Sequence, residues 1–201
     1  MLFLLIGTGV TAFVTYRYVA SQVQNYTSAE PVVLPSVEYS EQELEELGTR
    51  IHAFKENAGN ADEPLEIRLS ADDINALINS DTDMKGKAFV KINGDLIQCD
   101  VSIPLDDFPL AKGRYLNGSA TVELRMINGE LAIYVREISV NGQPLPEVIS
   151  TSFENQDFGA SLRKDKELAE PLSRLKDFRV EDGSVVLELY PSMGHKEHDA
   201  N

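Results

Sequence analysis

An α+β fold is what this chain predicts: an N-terminal transmembrane helix, then a mainly antiparallel sheet of hairpins packed against helices. Three observations carry it. Asn93-Gly94, Asn128-Gly129 and Asp182-Gly183 each lie between runs of alternating apolar and polar residues, the pattern of a β-hairpin. Two stretches repeat apolar residues at three- and four-residue steps behind a serine, the pattern of a capped helix. Residues 2–16 carry no charge at all.

That uncharged run extends to Ala20 if Arg17 snorkels toward the headgroups, which reaches the roughly 17–20 residues a bilayer core requires. Residues 1–21 therefore read as an uncleaved anchor. A cleaved signal peptide with its exit at Val19, Ala20 and Ser21 is the competing reading, but no basic residue precedes Leu2. A buried core helix is the third. The body is placed outside the cytoplasm, as expected for an anchored envelope domain, although Arg17 on the C-terminal side of the run would by itself favour a cytoplasmic body. Residues 22–39 are polar, carry Pro31 and Pro35, and show no period, so they read as a stalk.

The folded domain is expected over residues 40–191. Ser40 and Glu43 form a capping box, and Leu44, Leu47, Ile51 and Phe54 follow as the apolar stripe of a helix ending near Asn57 to Gly59. Gly48 inside it costs about 1 kcal/mol relative to Ala. Its acidic outer face, Glu41, Glu45, Glu46 and Glu56, reads as solvation rather than a docking surface. Leu65, Ile67 and Leu69 alternate as a half-buried strand, and Ser70 then caps a short helix with Ile74, Leu77 and Ile78 as its apolar residues. Ala88, Val90 and Ile92 face the series Ile97, Cys99, Val101 and Ile103 across the first hairpin. The second hairpin joins Leu116, Gly118, Ala120, Val122, Leu124 and Met126 to Leu131, Ile133 and Val135. Its phase slips to Ile138 and Val140, which predicts a bulge near Arg136 and Glu137.

Pro144 and Pro146 open a helical stretch bearing Leu145, Val148, Ile149 and Phe153. A further helical piece holds Leu168, Leu172 and Leu175, broken at Pro171. The last hairpin pairs Phe178 to Val180 with Val185, Leu187 and Leu189. Residues 192–201 read as a polar, flexible tail. A domain of this size buries enough surface to fold without disulfides or metal.

Composition narrows function. With 33 acidic and 18 basic residues the net charge is −15, and the Lys and Arg form no run, so nucleic acid is excluded as a partner class. Hydrophobic residues at 42% place the chain among folded rather than disordered sequences. The single cysteine, Cys99, allows no intrachain disulfide and no cysteine zinc site, and its place in an apolar alternation makes it a small buried hydrophobe.

No catalytic or metal-ligating constellation emerges, and no cofactor is expected. His52 stands alone, and His195 and His198 lack a third ligand. Asp81 and Asp83 begin like a calcium loop, but Lys85 takes the third ligand position and Ile92 the bidentate glutamate position. Ser161 and Lys164 match S-x-x-K without its companion motifs. Asp106 and Asp107 adjoin in sequence, which does not set two carboxylates across one glycosidic bond. Asn25-Tyr26-Thr27 and Asn117-Gly118-Ser119 are sequons that matter only in a eukaryotic secretory pathway.

RLSADDINALI, VKINGDLIQCDVSIPL, GRYLNGSATVELRMINGEL and VNGQPLP resemble a group of uncharacterised bacterial proteins with one N-terminal membrane helix. The order of elements is also similar, more distantly, to YpmS-like anchored proteins and to small bacterial relatives of the tubular lipid-binding (TULIP) superfamily. That second resemblance implies a long curved sheet around a helix, enclosing an apolar groove for a lipid chain, and carries over no catalytic residue. Gly118 and Ala120 on the apolar face would leave room for such a groove, or else admit close helix packing. The groove residues would be Leu116, Val122, Leu124, Ile133, Val135, Val148, Ile149 and Phe153.

The expected function is a single-pass, membrane-anchored envelope domain that binds a protein partner or a lipid without catalysis. A hydrolase acting on envelope material is the alternative. A protein partner predicts an exposed apolar patch at Phe108, Pro109 and Leu110; a lipid predicts an apolar cavity; a hydrolase predicts clustered polar groups with shifted pKa values.

Overall fold

The computed structural model describes residues 23–57, 64–164 and 169–191, without the side chains of residues 148, 149, 170 and 171. The expected anchor at 1–21, Leu168, and the tail at 192–201 with His195 and His198 lie outside the described residues. Among those described, no helix is long and apolar enough to cross a membrane.

The domain is α+β, with two antiparallel sheets. Helix α1 (Glu41–Asn57) starts on the expected capping box: the Ser40 N–H donates to Glu43 Oε2 at 2.7 Å, and Ser40 Oγ accepts the Glu43 N–H at 3.3 Å. Leu44, Leu47, Ile51 and Phe54 form its inward stripe, with Leu47 2% exposed. Strand β1 (Leu65–Ser70) runs directly into α2 (Ala71–Ser80), where Ser70 and Asp73 cap each other reciprocally.

The apolar stripe expected on α2 is only half-buried. Ile74, Leu77 and Ile78 are partly exposed, while Asp73, Asn75 and Ala76 are buried. The reason is a long-range bond that periodicity does not register. Asn75, 1% exposed, accepts the Val90 N–H through Oδ1 and donates to the Val90 carbonyl through Nδ2, both at 2.7 Å.

The larger sheet has the order β2-β3-β4-β5-β6, from β2 (Ala88–Asn93), β3 (Leu96–Pro104), β4 (Tyr115–Ile127), β5 (Glu130–Val140) and β6 (Gln143–Pro144). In its first hairpin Asn93 pairs with Leu96, so the central turn residues are Gly94 and Asp95 rather than Asn93 and Gly94. Only Gly94 takes positive φ, and this register sets Ile92 opposite Ile97 and Val90 opposite Cys99. The second hairpin turns on Asn128 and Gly129 with φ of 54° and 82°, the type I′ signature. The expected bulge is present. Ser119 faces Ser139 while Thr121 faces Arg136, and the extra residue is absorbed at Glu137, whose φ is 49°. A further turn at Asn141-Gly142, not framed by any apolar alternation, folds β6 back onto Val140.

Helices α3 (Glu147–Glu154), α4 (Gly159–Leu162) and α5 (Ala169–Ser173) follow. The smaller sheet has the order β1-β8-β7, from β7 (Leu175–Glu181) and β8 (Ser184–Leu189). Leu175, expected in a helix, begins β7 and is 2% exposed. With Leu131 and Leu189 it forms the core that joins the two sheets. Strand β8 lies between β1 and β7, so the two ends of the domain pair with each other, and Val186 sits in register between Arg68 and Arg179 with no exposure. Arg68, Arg179, Glu66, Glu181, Glu188 and Lys176 pair across the outer face of this sheet.

Residues 27–32, within the stretch that reads as a stalk, lie hydrogen-bonded against the polar face of the larger sheet. Ser28 and Tyr115 exchange two backbone bonds at 2.8 Å. Val32 donates its N–H to Ser102 Oγ at 3.1 Å and Asn117 Oδ1 at 3.2 Å, and Asn117 Nδ2 donates to the Glu30 carbonyl at 3.0 Å. Ser102 and Asn117 are buried beneath this segment.

Candidate ligand cleft

Between the sheets runs an open cleft of about 440 Å³, lined by Ile97, Val122, Leu124, Phe178 and Val180, with Leu96 at its mouth. Leu96 is 59% exposed, although it opens a strand and carries a large apolar side chain. The alternation of β3 and β4 sets Ile97 opposite Val122 on one face, and the bend at Glu137 shapes the wall beyond. Polar groups mark the rim. Glu123 accepts from Arg125 at 2.6 Å and from Arg136 at 2.9 Å, and Thr121 donates to Glu137 at 2.9 Å. Both arginines also lie over the Tyr134 ring, at 5.6 and 5.0 Å from its centre.

Of the eight groove residues expected from sequence, Val122 and Leu124 line this cleft together. Leu124 and Ile133 also pack against the core cluster, and Val135 stands opposite Val122 in register. Leu116 lies further along β4, opposite Ile103. Phe153 is 42% exposed on α3, and the side chains of Val148 and Ile149 are among those not described. The apolar cleft residues that sequence reasoning missed are Leu96, Ile97, Phe178 and Val180. They reach the cleft from the start of β3 and from the second sheet, and no local pattern announces that meeting.

A second opening of about 550 Å³ separates α1 from the edge of β1, floored by Phe54, Leu65 and Ile67. Arg50 closes one side through Asp73 at 3.3 Å and the Arg68 carbonyl at 3.0 Å. Burial works against the Asp73 carboxylate, yet the Ser70 N–H, its hydroxyl and Arg50 together hold its pKa below the usual range.

The loop between β3 and β4 exposes Phe108, Pro109 and Leu110 together, with Phe108 at 60% and Leu110 at 54%. It is tightly turned. Phe108, Ala111 and Arg114 each donate a backbone N–H three residues back, and Asp106 Oδ1 accepts the Gly113 N–H at 3.0 Å.

None of the acid–base or nucleophile pairs weighed from sequence is brought together among the described residues. Ser161 donates to the Phe158 carbonyl, His52 pairs with exposed Glu56, and Asp81 accepts the Asp83 and Met84 N–H groups. No group of three or more His, Cys, Asp or Glu able to hold a metal ion occurs among the described residues. Burial, then the charge of Asp100, pushes the Cys99 thiol up, away from thiolate reactivity. Asp100 resists burial through Lys91, Ser119 and Gln98, which lower its pKa. Each of these shifted carboxylates is held charged by a partner; none is pushed up toward general-acid duty.

Fold and site thus define a two-sheet α+β domain with an open apolar cleft and an exposed apolar loop. Comparison with protein-family models, with curated proteins and with solved structures gives no match to the chain.

Proposed function

We propose that this chain is a single-pass, membrane-anchored envelope domain that binds an apolar chain, a lipid acyl chain first of all, without catalysing a reaction. In this reading residues 1–21 cross the bilayer, the body lies outside the cytoplasm, and the larger sheet curves around the ligand. The observation that supports it is the cleft in which Val122 and Leu124 meet Phe178 and Val180 from the other sheet. The resemblance to lipid-binding domains points the same way. At the rim Glu123 is paired with Arg125 and Arg136, and Asp95 and Glu137 lie beside them, so the apolar floor is ringed by polar groups of both signs that suit the polar end of a lipid. A protein partner that inserts apolar side chains is the second reading, favoured by the opening of the cleft to solvent beside exposed Leu96.

Titration of the protein with a fluorescent fatty acid tests the proposal. Saturable binding, weakened at least tenfold by Leu96→Asp at the mouth or Val122→Asp in the wall, is the expected result. Leu96 is exposed, so its substitution leaves packing alone. Binding that is absent, or indifferent to both substitutions, would overturn the assignment of the cleft.

A further inference from the structure

The exposed apolar loop and the incoming chain meet at one end of the molecule. Arg114, the last residue before β4, donates to the Thr27 hydroxyl through Nε and to the Thr27 carbonyl through Nη2 at 2.7 Å. Ser28 bridges to Tyr115 beside it. The base of the Phe108–Leu110 loop is therefore clamped to the point where the chain arrives from its uncharged N-terminal run. From Ala20 to Thr27 is a span of about 10 Å if helical and at most about 25 Å if extended. An apolar loop held within that distance of a bilayer surface is in reach of it.

We infer that this loop is a second membrane contact, inserting Phe108 and Leu110 into the headgroup and acyl boundary of neutral, zwitterionic phospholipid. The inference rests on the reading of residues 1–21 as an anchor. Its physical argument is threefold. The loop is stiffened by its own turn bonds and the Asp106 clamp, so insertion orders little that is not already ordered. Phe108, Pro109 and Leu110 are exposed together rather than singly, with Ile103 at the adjoining strand end also exposed. Asp106 and Asp107 beside them, on a chain of net charge −15, disfavour an anionic surface and select a neutral one. Such a contact would fix the tilt of the domain on its anchor and set the ligand cleft at a constant height.

The chain contains no tryptophan, so Phe108→Trp, Leu110→Trp and Ile127→Trp each create a single reporter in the 201-residue chain. Ile127 ends the 13-residue strand β4 and lies about 40 Å from the loop end. Each variant is reconstituted into phosphatidylcholine vesicles with ordinary or brominated acyl chains. Co-flotation of all three, with F108W and L110W losing most of their emission to brominated lipid while I127W keeps its own, is the expected outcome. Co-flotation without quenching of F108W and L110W overturns the loop contact, and a blue-shifted but unquenched emission would place a protein there instead. Failure to co-float overturns the anchor reading and this inference with it.

Discussion

Two open stretches of the five-stranded sheet, the edge of β2 and the part of β5 that the two-residue β6 leaves uncovered, solve one problem with opposite chemistry. An unpaired edge exposes backbone donors and acceptors to any other strand. At β2 the edge is closed by the neutral amide of Asn75, almost fully buried, which satisfies both backbone groups of Val90. At β5 it is closed by charge: Asp157 Oδ1 accepts the Ile133 N–H at 3.0 Å, Phe158 donates to the Ile133 carbonyl at 2.8 Å, and Arg163 donates to the Leu131 carbonyl. Asp157 and Arg163 also pair with each other at 2.7 Å. The first closure is insensitive to pH and salt; the second depends on a carboxylate staying ionised.

Asn75→Ala breaks the comparison hardest. It strands a donor and an acceptor in a buried place, and a loss of about 3 kcal/mol in urea unfolding is expected. A loss under about 1 kcal/mol would mean that the β2 edge has another guard. Gly159→Ala comes next, because a Cβ there would meet the Leu131 carbonyl oxygen at 2.8 Å in the segment that covers β5. The backbone must move, and about 2 kcal/mol is expected from the same unfolding curves.

Asp157→Asn sharpens the contrast through pH. Burial opposes ionisation of Asp157, but Arg163 and the Ile133 and Gly159 N–H groups outweigh it and lower its pKa. A lowered carboxylate contributes stability that is whole above its unfolded pKa, near 4, and is lost as pH falls through the folded value. The deficit of D157N, about 1 kcal/mol at neutral pH, therefore shrinks in stability curves taken at progressively lower pH, while the deficit of N75A does not. The smallest effect is at the bulge. Glu137 holds φ of 49°, which glycine adopts without steric cost, and Glu137→Gly is expected to raise stability by about 0.5 kcal/mol, read as a small gain in Tm.

The contrast also shows where sequence reading stops. Ser40 with Glu43 and Ser70 with Asp73 announce helix starts because both partners lie within one turn. The turns at Asn128 and Asp182 are legible because positive φ restricts residue choice there. The Glu137 bulge shows as a phase slip. Asn75 is illegible, since a polar residue on a helix counts as outward until its partner fifteen residues on is known. The β1–β8 pairing and the docking of residues 27–32 fail for the same reason: their bonds close loops of dozens of residues and leave no local period. The candidate cleft follows that rule. Val122 and Leu124 could be named from one strand's alternation, but Phe178 and Val180 arrive from another sheet.

The central claim is that the cleft holds an apolar chain, and the most direct measurement is the native mass of residues 23–201 purified from a bacterial host, which keeps the docked segment 27–32. Lipid is extracted from the same sample. A one-to-one adduct that extracts as a fatty acid or phospholipid, and is lost in Leu96→Asp, is the predicted result. A bare protein mass, unchanged after incubation with phospholipid and fatty acid, would contradict it.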